Sequence, residues 1–296
     1  MKMTGELAAL GAAASWAVTA LAIEGGARRI GSLSVNLIRL VFGFAFLSLA
    51  ALAVRGLPLP VDATAHNWAW LTVSGLVGFT FGDLCLYRAY VVLGPRLSSL
   101  MMALVPPITA LIGWAALGET LTRRDLLGMT LTVVGIGWAI LERGRASESG
   151  PLQVSLAGVA LGFGGALGQG VGLILSKIGM AGYDVLAANQ VRVFAGAVGY
   201  ALLFFALKWW PNVRAGLRDG KALGFSALGA FFGPFLGVSL SLLAVRATVA
   251  GVAASIMALT PVLIIPLVVV LKKERVGLGG LAGALVAVTG VALLFL

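Results

Sequence analysis

The sequence predicts an all-α integral membrane protein with about ten transmembrane helices, arranged as two inverted five-helix repeats. Composition, a regular series of apolar segments and an internal repeat support this prediction. Of the 296 residues, 60% are hydrophobic and only 11% are charged. A soluble domain carries about 25% charged residues. Lipid must therefore be the solvent for much of this chain.

Ten apolar segments are separated by short polar connectors. A helix needs roughly 20 apolar residues to cross the hydrocarbon core. The connectors carry the expected Gly, Pro and Arg residues, and most of the 21 Lys and Arg fall between the apolar segments. The predicted spans are 5–23, 33–54, 68–92, 97–117, 125–141, 153–175, 184–207, 221–244, 249–271 and 277–296.

Short motifs recur in the same order in both halves of the chain. Asn36 and Arg39 reappear as Asn189 and Arg192, at an offset of 153 residues. The segment 102–106, MALVP, reappears as MALTP at 257–261, at an offset of 155 residues. Because each half holds an odd number of spans, the second copy must enter the membrane from the opposite side.

The most polar stretch, 142–151, lies at the midpoint of the chain. We therefore predict a first repeat over residues 1–145, a linker over 146–152 and a second repeat over 153–296. Inverted repeats are typical of secondary transporters, whose substrate site lies near the membrane midplane between the halves.

Several of the repeated features together carry a family resemblance. An Arg stands early in the second span of each half, a Pro stands in the fourth, and residues 118–121 (GETL) precede a glycine-spaced fifth span. In this pattern the chain resembles the EamA-type transporters of the drug/metabolite transporter superfamily over nearly its whole length. The resemblance implies a ten-helix transporter around a central cavity, often driven by proton or solute exchange. The second half departs slightly, since Lys273 stands where Gly is usual before Glu274.

Asp83 is the only carboxylate well inside an apolar segment. On an α-helix Thr80, Asp83, Tyr87 and Tyr90 would form one polar stripe, which we expect to face a cavity. A buried Asp there could bind the ammonium group of a solute or take up a proton. Alternatively it forms a fixed ion pair with Arg39 or Arg88, or it is simply exposed to water.

Other polar residues have both a binding and a structural interpretation. Gln169 corresponds to Trp16 in the repeat, and with Ser15 they are candidates for contacts with a small amphiphilic solute. A Trp in lipid is also a common packing residue. The remaining candidates are gate elements or structural groups, namely snorkelling arginines with their neighbouring amides, helix-bending prolines and interfacial caps: Arg39, Arg192, Asn36, Asn189, Pro106, Pro261, Glu119 and Glu274.

The sequence also argues against several classes of protein. One His and one Cys provide neither an HExxH zinc site nor a disulfide framework, so we expect no metal, no cofactor and no enzyme activity. The chain lacks a GxxxxGK[ST] phosphate loop.

We expect a transporter of a small metabolite in the inner (plasma) membrane, with amino acids or related compounds favoured and efflux as its direction. A multidrug exporter, a channel and a lipid-handling scaffold are the alternatives. The expected partners are a small solute and the lipid bilayer, without nucleic acid, and the protein is a monomer or a weak homodimer. The charge bias of the connectors places the termini outside, whereas the family resemblance places them in the cytoplasm.

Overall fold

The computed structural model describes residues 3–145, 155–260, 262–264, 266–267 and 278–295. The predicted linker over 146–152 lies outside the described residues, and so do Pro261 and Glu274. Tyr90 lies on a described helix, but its side chain is outside the described part of the structure.

The described backbone is helical from end to end, with short turns between the helices. Two of the helices pass without a break through a seven-residue π-helical segment. We call these segments π1 (Leu76–Gly82) and π2 (Phe231–Gly237). The α-helices are α1 (Thr4–Ile30), α2 (Ser32–Arg55), α3 (Ala65–Gly75), α4 (Asp83–Met102), α5 (Val105–Leu117), α6 (Arg123–Arg145), α7 (Leu156–Gly179), α8 (Val185–Ala206), α9 (Trp210–Gly216), α10 (Gly220–Ala230), α11 (Val238–Ala247), α12 (Ala250–Met257) and α13 (Leu278–Phe295).

The helices confirm the predicted all-α membrane fold. Six are long and apolar enough to cross a bilayer: α1, α2, the rod formed by α3, π1 and the start of α4, α7, α8, and the rod formed by α10, π2 and α11. The apolar α5, α12 and α13 are shorter, and α6 completes a set of ten rods among the described residues. The seven-residue α9 connects α8 to α10.

The packing of the helices repeats the symmetry of the sequence. The first half packs mainly on the second: α1 lies against α10 and α11, α2 against α8, and α6 against α13. Each helix contact has a counterpart related by the repeat. The packing of α4 on α7 corresponds to that of α11 on α1, and the packing of α3 on α8 corresponds to that of α10 on α2. The two halves therefore interlock as inverted repeats around a shared centre.

The π-helical segments obey the same symmetry. Both are seven residues long, and π2 begins 155 residues after π1. Both carry glycine at their third and seventh positions, at Gly78 and Gly82 in π1 and at Gly233 and Gly237 in π2. A π turn is rare, and it is found frequently at functional sites. No local sequence pattern predicted either π-helical segment.

Two local features differ from the predicted spans. A connector was expected near 93–96, yet the backbone is helical from Asp83 through Met102. Membrane helices tolerate Gly and Pro because neighbouring groups can satisfy the backbone hydrogen-bonding groups that are left without a partner. This tolerance explains why α4 continues through Gly94 and Pro95. Pro106 was expected to bend a continuous span, but a turn at 103–104 ends the helix before it. Pro106 then lies in the first turn of α5, where a missing N–H costs little.

Glycine allows the last helix of each half to approach the other closely. A methyl group added at Gly135 of α6 would lie 2.3 Å from the backbone nitrogen of Ala287 and 2.7 Å from the carbonyl oxygen of Gly283, both in α13. A methyl group added at Gly290 would lie 2.5 Å from the backbone nitrogen of Thr132. In lipid, helices associate through such close contacts of small residues.

Gly135→Ala is therefore expected to force α6 and α13 apart. Overpacking of this kind costs about 1–3 kcal/mol, which would lower the midpoint of thermal unfolding in detergent. Gly224→Ala is the matched control, because nothing lies within 4 Å of a methyl group at that helical position. The control should be neutral or slightly stabilising, since Ala favours a helix over Gly. Equal stability of both variants would contradict the close contact.

Candidate functional site

A buried ion pair joins the second and third spans of the first half. Nη2 of Arg39, on α2, lies 2.9 Å from Oδ2 of Asp83, at the start of α4. Both side chains are at least nine-tenths buried. Of the alternatives that the sequence left open, the structure has the Arg39–Asp83 pair, while Arg88 is exposed. Ionisable groups at this depth are costly in lipid and are functional candidates by default.

Polar side chains from both halves are hydrogen-bonded around this pair. Gln169, on α7, donates through Nε2 to Oδ1 of Asp83 at 2.9 Å. Asn36 accepts from Nη2 of Arg39 at 2.5 Å and donates through Nδ2 to the hydroxyl of Tyr200, on α8, at 2.6 Å. Helices from both halves therefore contribute to one hydrogen-bonded cluster.

The second repeated arginine is also buried, but its surroundings differ. Arg192, on α8, donates from Nε to Oγ of Ser74, on α3, at 2.9 Å. Its guanidinium carbon lies 5.2 Å from the centre of the Phe79 ring, in π1. Ser74 in turn donates to the carbonyl oxygen of Gly172 at 2.6 Å. The inversion places Arg192 toward the face that carries the start of α1 and Arg39 toward the opposite face.

We call the buried polar side chains described above the polar centre: Arg39, Asp83, Asn36, Gln169, Tyr200 and Arg192. The π-helical segments lie beside this polar centre. Gln169 Nε2 lies 3.4 Å from the carbonyl oxygen of Gly78, in π1. Asn189 donates through Nδ2 to the carbonyl oxygen of Pro234, in π2, at 2.7 Å, and to Oγ of Ser239 at 3.0 Å. In both halves, a side-chain amide thus satisfies a carbonyl of the irregular helix.

The predicted polar stripe is divided by π1. Thr80 donates to the carbonyl oxygen of Gly196, on α8, at 3.3 Å, whereas Asp83 faces Arg39 and Gln169. The residues expected on one α-helical face therefore have different neighbours, because π1 changes the register between them. Tyr87 is partly buried on α4, one turn beyond Asp83.

The first span contributes packing groups near the polar centre. The hydroxyl of Ser15 donates to the carbonyl oxygen of Gly11, one turn back in α1, at 2.8 Å. Trp16 is partly buried, and its ring lies 3.4 Å from the position that a methyl group on Gly237 would occupy. Neither contact orients a polar group toward Asp83, so the structure brings Gln169 to the ion pair but gives Ser15 and Trp16 packing contacts.

Ionic and polar contacts connect the two halves at the face that carries the start of α1, which we call the termini face. Lys177 Nζ, near the end of α7, lies 2.5 Å from Oε1 of Glu119 and donates to the carbonyl oxygen of Thr248 at 2.9 Å. Glu119 also accepts from the backbone nitrogen of Ala250 at 3.0 Å and so caps α12. Glu6 accepts from the hydroxyl of Thr248 at 3.0 Å.

A second cluster on the termini face lies in the connectors. Asp62 accepts from Arg55 and from the hydroxyl of Tyr183, at 2.5 and 2.9 Å. The hydrogen bond from Arg55 lowers the pKa of Asp62 below its ordinary value. Burial, reinforced by the bond to Asp62, raises the pKa of Tyr183 to about 12. Since Asp62 and Tyr183 belong to different halves, this cluster also holds the two repeats together on this side.

Several participants were missed by the sequence reasoning. Tyr200 and Ser74 lie in apolar segments, where a Tyr or Ser is unremarkable without a partner in view. Lys177 stands at a span end and was interpreted only as part of the charge bias. Its nearness to Glu119 depends on the packing of α5 on α7, which no local pattern reveals.

The comparisons with known proteins agree with this architecture. The EamA-like transporter family matches the chain twice, over residues 3–141 and 156–296. The chain belongs to the EamA-like transporter family. A protein of known crystal structure covers 99% of this chain over 96% of its own length, with a TM-score of 0.77 and 19% identity. At that identity the similarity shows the fold alone. No curated protein matches the chain in sequence.

Proposed function

We propose that this protein is a secondary transporter that exports a small metabolite by alternating access, with an amino acid or related compound as the favoured solute. A proton gradient or solute exchange drives the cycle, and the inner (plasma) membrane is its location. The family and fold support a transporter. The solute class, direction and coupling belong to the proposal.

The observation that carries the proposal is the Arg39–Asp83 pair and its setting. The pair lies where the two repeats meet. Gln169 of the second half donates to Asp83, and Asn36, which accepts from Arg39, donates to Tyr200 of the second half. Buried ion pairs are weak contributors to stability because desolvation offsets their attraction. A polar cluster in the centre of a membrane bundle is therefore better explained by work on a solute or a proton.

The contacts on the termini face support alternating access. Lys177, Glu119, Thr248 and Glu6 connect α1, α5, α7 and the α11–α12 turn. These contacts consist of a few hydrogen bonds near the membrane surface, where water can replace them. Such a contact set can open and reclose as one repeat rocks against the other.

Counterflow in proteoliposomes tests the proposal. Vesicles containing the purified protein are preloaded with unlabelled amino acids and related metabolites, one at a time, and uptake of the labelled solute is followed. Saturable, transient accumulation of a labelled solute is expected, and it should exceed that of protein-free vesicles by at least about tenfold. The same assay at several values of pH on the two sides reports proton coupling.

The alternatives give different results in this assay. Flux without saturation or counterflow would indicate a channel and overturn the proposal. Counterflow of hydrophobic drugs alone would show that the protein is a carrier, but it would refute a small metabolite as the solute. Asp83→Asn is the test of coupling: if transport and its pH dependence are unchanged, Asp83 does not carry the proton.

A further inference from the structure

The two repeated arginines are neutralised differently. Arg39 has Asp83 at 2.9 Å. The position that corresponds to Asp83 in the second repeat, at the same offset of 155 residues that relates π1 to π2, is Val238. Within the described part of the chain, no carboxylate lies within 4.0 Å of the Arg192 guanidinium. The second repeat therefore keeps the buried cation of the first and lacks its anion.

The guanidinium of Arg192 has unused hydrogen-bonding capacity. It carries five N–H donors, and among the residues that the structure describes it donates one hydrogen bond, from Nε to Ser74. Only 6% of the residue is exposed. The Phe79 ring, 5.2 Å from the guanidinium carbon, gives some stabilisation of the cation. A ring cannot replace the paired oxygens that a guanidinium binds.

The polar centre consequently carries an excess positive charge. Of the acidic and basic side chains described as buried, Glu6 lies at the termini face, and the others are Arg39, Asp83 and Arg192. Asp83 forms an ion pair with Arg39 and also attracts Arg192 electrostatically, so a single buried carboxylate faces two buried arginines and one positive charge remains. An uncompensated buried charge is strongly destabilising, so a membrane protein that retains one is expected to neutralise it with a ligand.

We propose that Arg192 binds the carboxylate of the transported solute, so that the substrate class is a small organic carboxylate and cationic drugs are excluded. This inference deepens the proposed function and rests on it. A guanidinium matches the two oxygens of a carboxylate in a bidentate fork. Ser74 fixes the guanidinium through Nε and leaves the terminal nitrogens available for that fork.

Val238→Asp tests the missing charge without any solute. An Asp placed in an apolar helix normally destabilises a membrane protein. Here we expect the new carboxylate to pair with Arg192 as Asp83 pairs with Arg39, and to raise the midpoint of thermal unfolding by several degrees over the isosteric control Val238→Asn. A Val238→Asp protein no more stable than Val238→Asn would overturn the inference.

Thermal unfolding of the purified wild type with matched ligands tests the solute class. One set is 4-methylpentanoate, L-leucine and L-leucinamide, and the other is 3-phenylpropanoate, L-phenylalanine and L-phenylalaninamide, with inorganic phosphate as a separate anion. We expect at least one carboxylate to raise the unfolding midpoint by several degrees, and its amide to have no effect. The shift should disappear in Arg192→Gln and in Val238→Asp.

Each contrary result decides the question. The inference would be overturned if amides protected as well as carboxylates, if protection survived in Arg192→Gln, or if no carboxylate raised the unfolding midpoint. Protection by phosphate alone would refute a carboxylate as the ligand. The assay reports binding and requires no transport. Carboxylate protection without counterflow would therefore refute the proposed transport function but support a carboxylate site at Arg192. Counterflow that Arg192→Gln leaves unchanged would support transport and refute the site.

Discussion

Arg39→Met is expected to destabilise the protein by about 3–5 kcal/mol, because it leaves Asp83 as a buried charge without its partner. Asp83→Leu should have a comparable effect, since it leaves the guanidinium of Arg39 unpaired. The double variant removes both charges and should be closer in stability to the wild type than either single variant. Equilibrium unfolding in mixed micelles measures the free energies for this double-mutant cycle.

Arg28→Gln is the matched control for the loss of an arginine. Arg28 pairs with Glu24 at 2.7 Å within α1, and its side chain is 76% exposed. Exposed pairs contribute at most about 1 kcal/mol, so this variant should be nearly as stable as the wild type. If Asp83→Leu alone were as stable as the wild type, Asp83 would not act as a structural counter-charge to Arg39. Its role would then lie with a solute or a proton.

Locking the termini face closed is expected to abolish counterflow completely. A methyl carbon added at Gly5 of α1 would lie 3.2 Å from Cβ of Ala247, at the end of α11. Disulfides have Cβ–Cβ separations of about 3.5–4.5 Å, so Gly5→Cys with Ala247→Cys should form a bond after a small adjustment. The single native cysteine, Cys85, is replaced by Ala in this background.

The cross-linked protein is assayed before and after reduction. We expect no counterflow after oxidation and recovery of most of the activity after reduction, because the bond holds α1 against α11 and prevents the rocking of the halves. Each single-cysteine variant, treated with the same oxidant, should remain active. Full counterflow by a protein shown to be cross-linked would refute opening of this face between α1 and α11.

The sequence was informative about the repeat because a duplication leaves matched residues that can be counted. Arg39 aligns with Arg192 and Asn36 with Asn189 in the sequence alone, and the fifth span is recognisable by its spaced glycines. The structure places Gly135 and Gly290 in the packing of α6 on α13. Composition sufficed for the class of fold, since lipid-facing helices must be apolar along their whole length.

The site was less accessible to sequence reasoning, for two physical reasons. First, the polar stripe through Thr80 and Asp83 was derived from a period of 3.6 residues, which π1 does not follow. Second, the partners of Asp83 come from other spans. The sequence left Arg39 and Arg88 as alternative partners of Asp83, and only the packing of α7 on α4 brings Gln169 to the carboxylate.

The matching positions of π1 and π2 bear on the evolutionary origin of the two repeats. Their sequences, LVGFTFG and FFGPFLG, are identical only at the glycines in positions three and seven. A backbone irregularity found at equivalent places in both repeats belonged to the single five-helix unit before it was duplicated. That ancestor would have functioned as an antiparallel pair of identical chains, with the same charges on both sides. The difference between Asp83 and Val238 became available only once the two copies were fused and free to diverge.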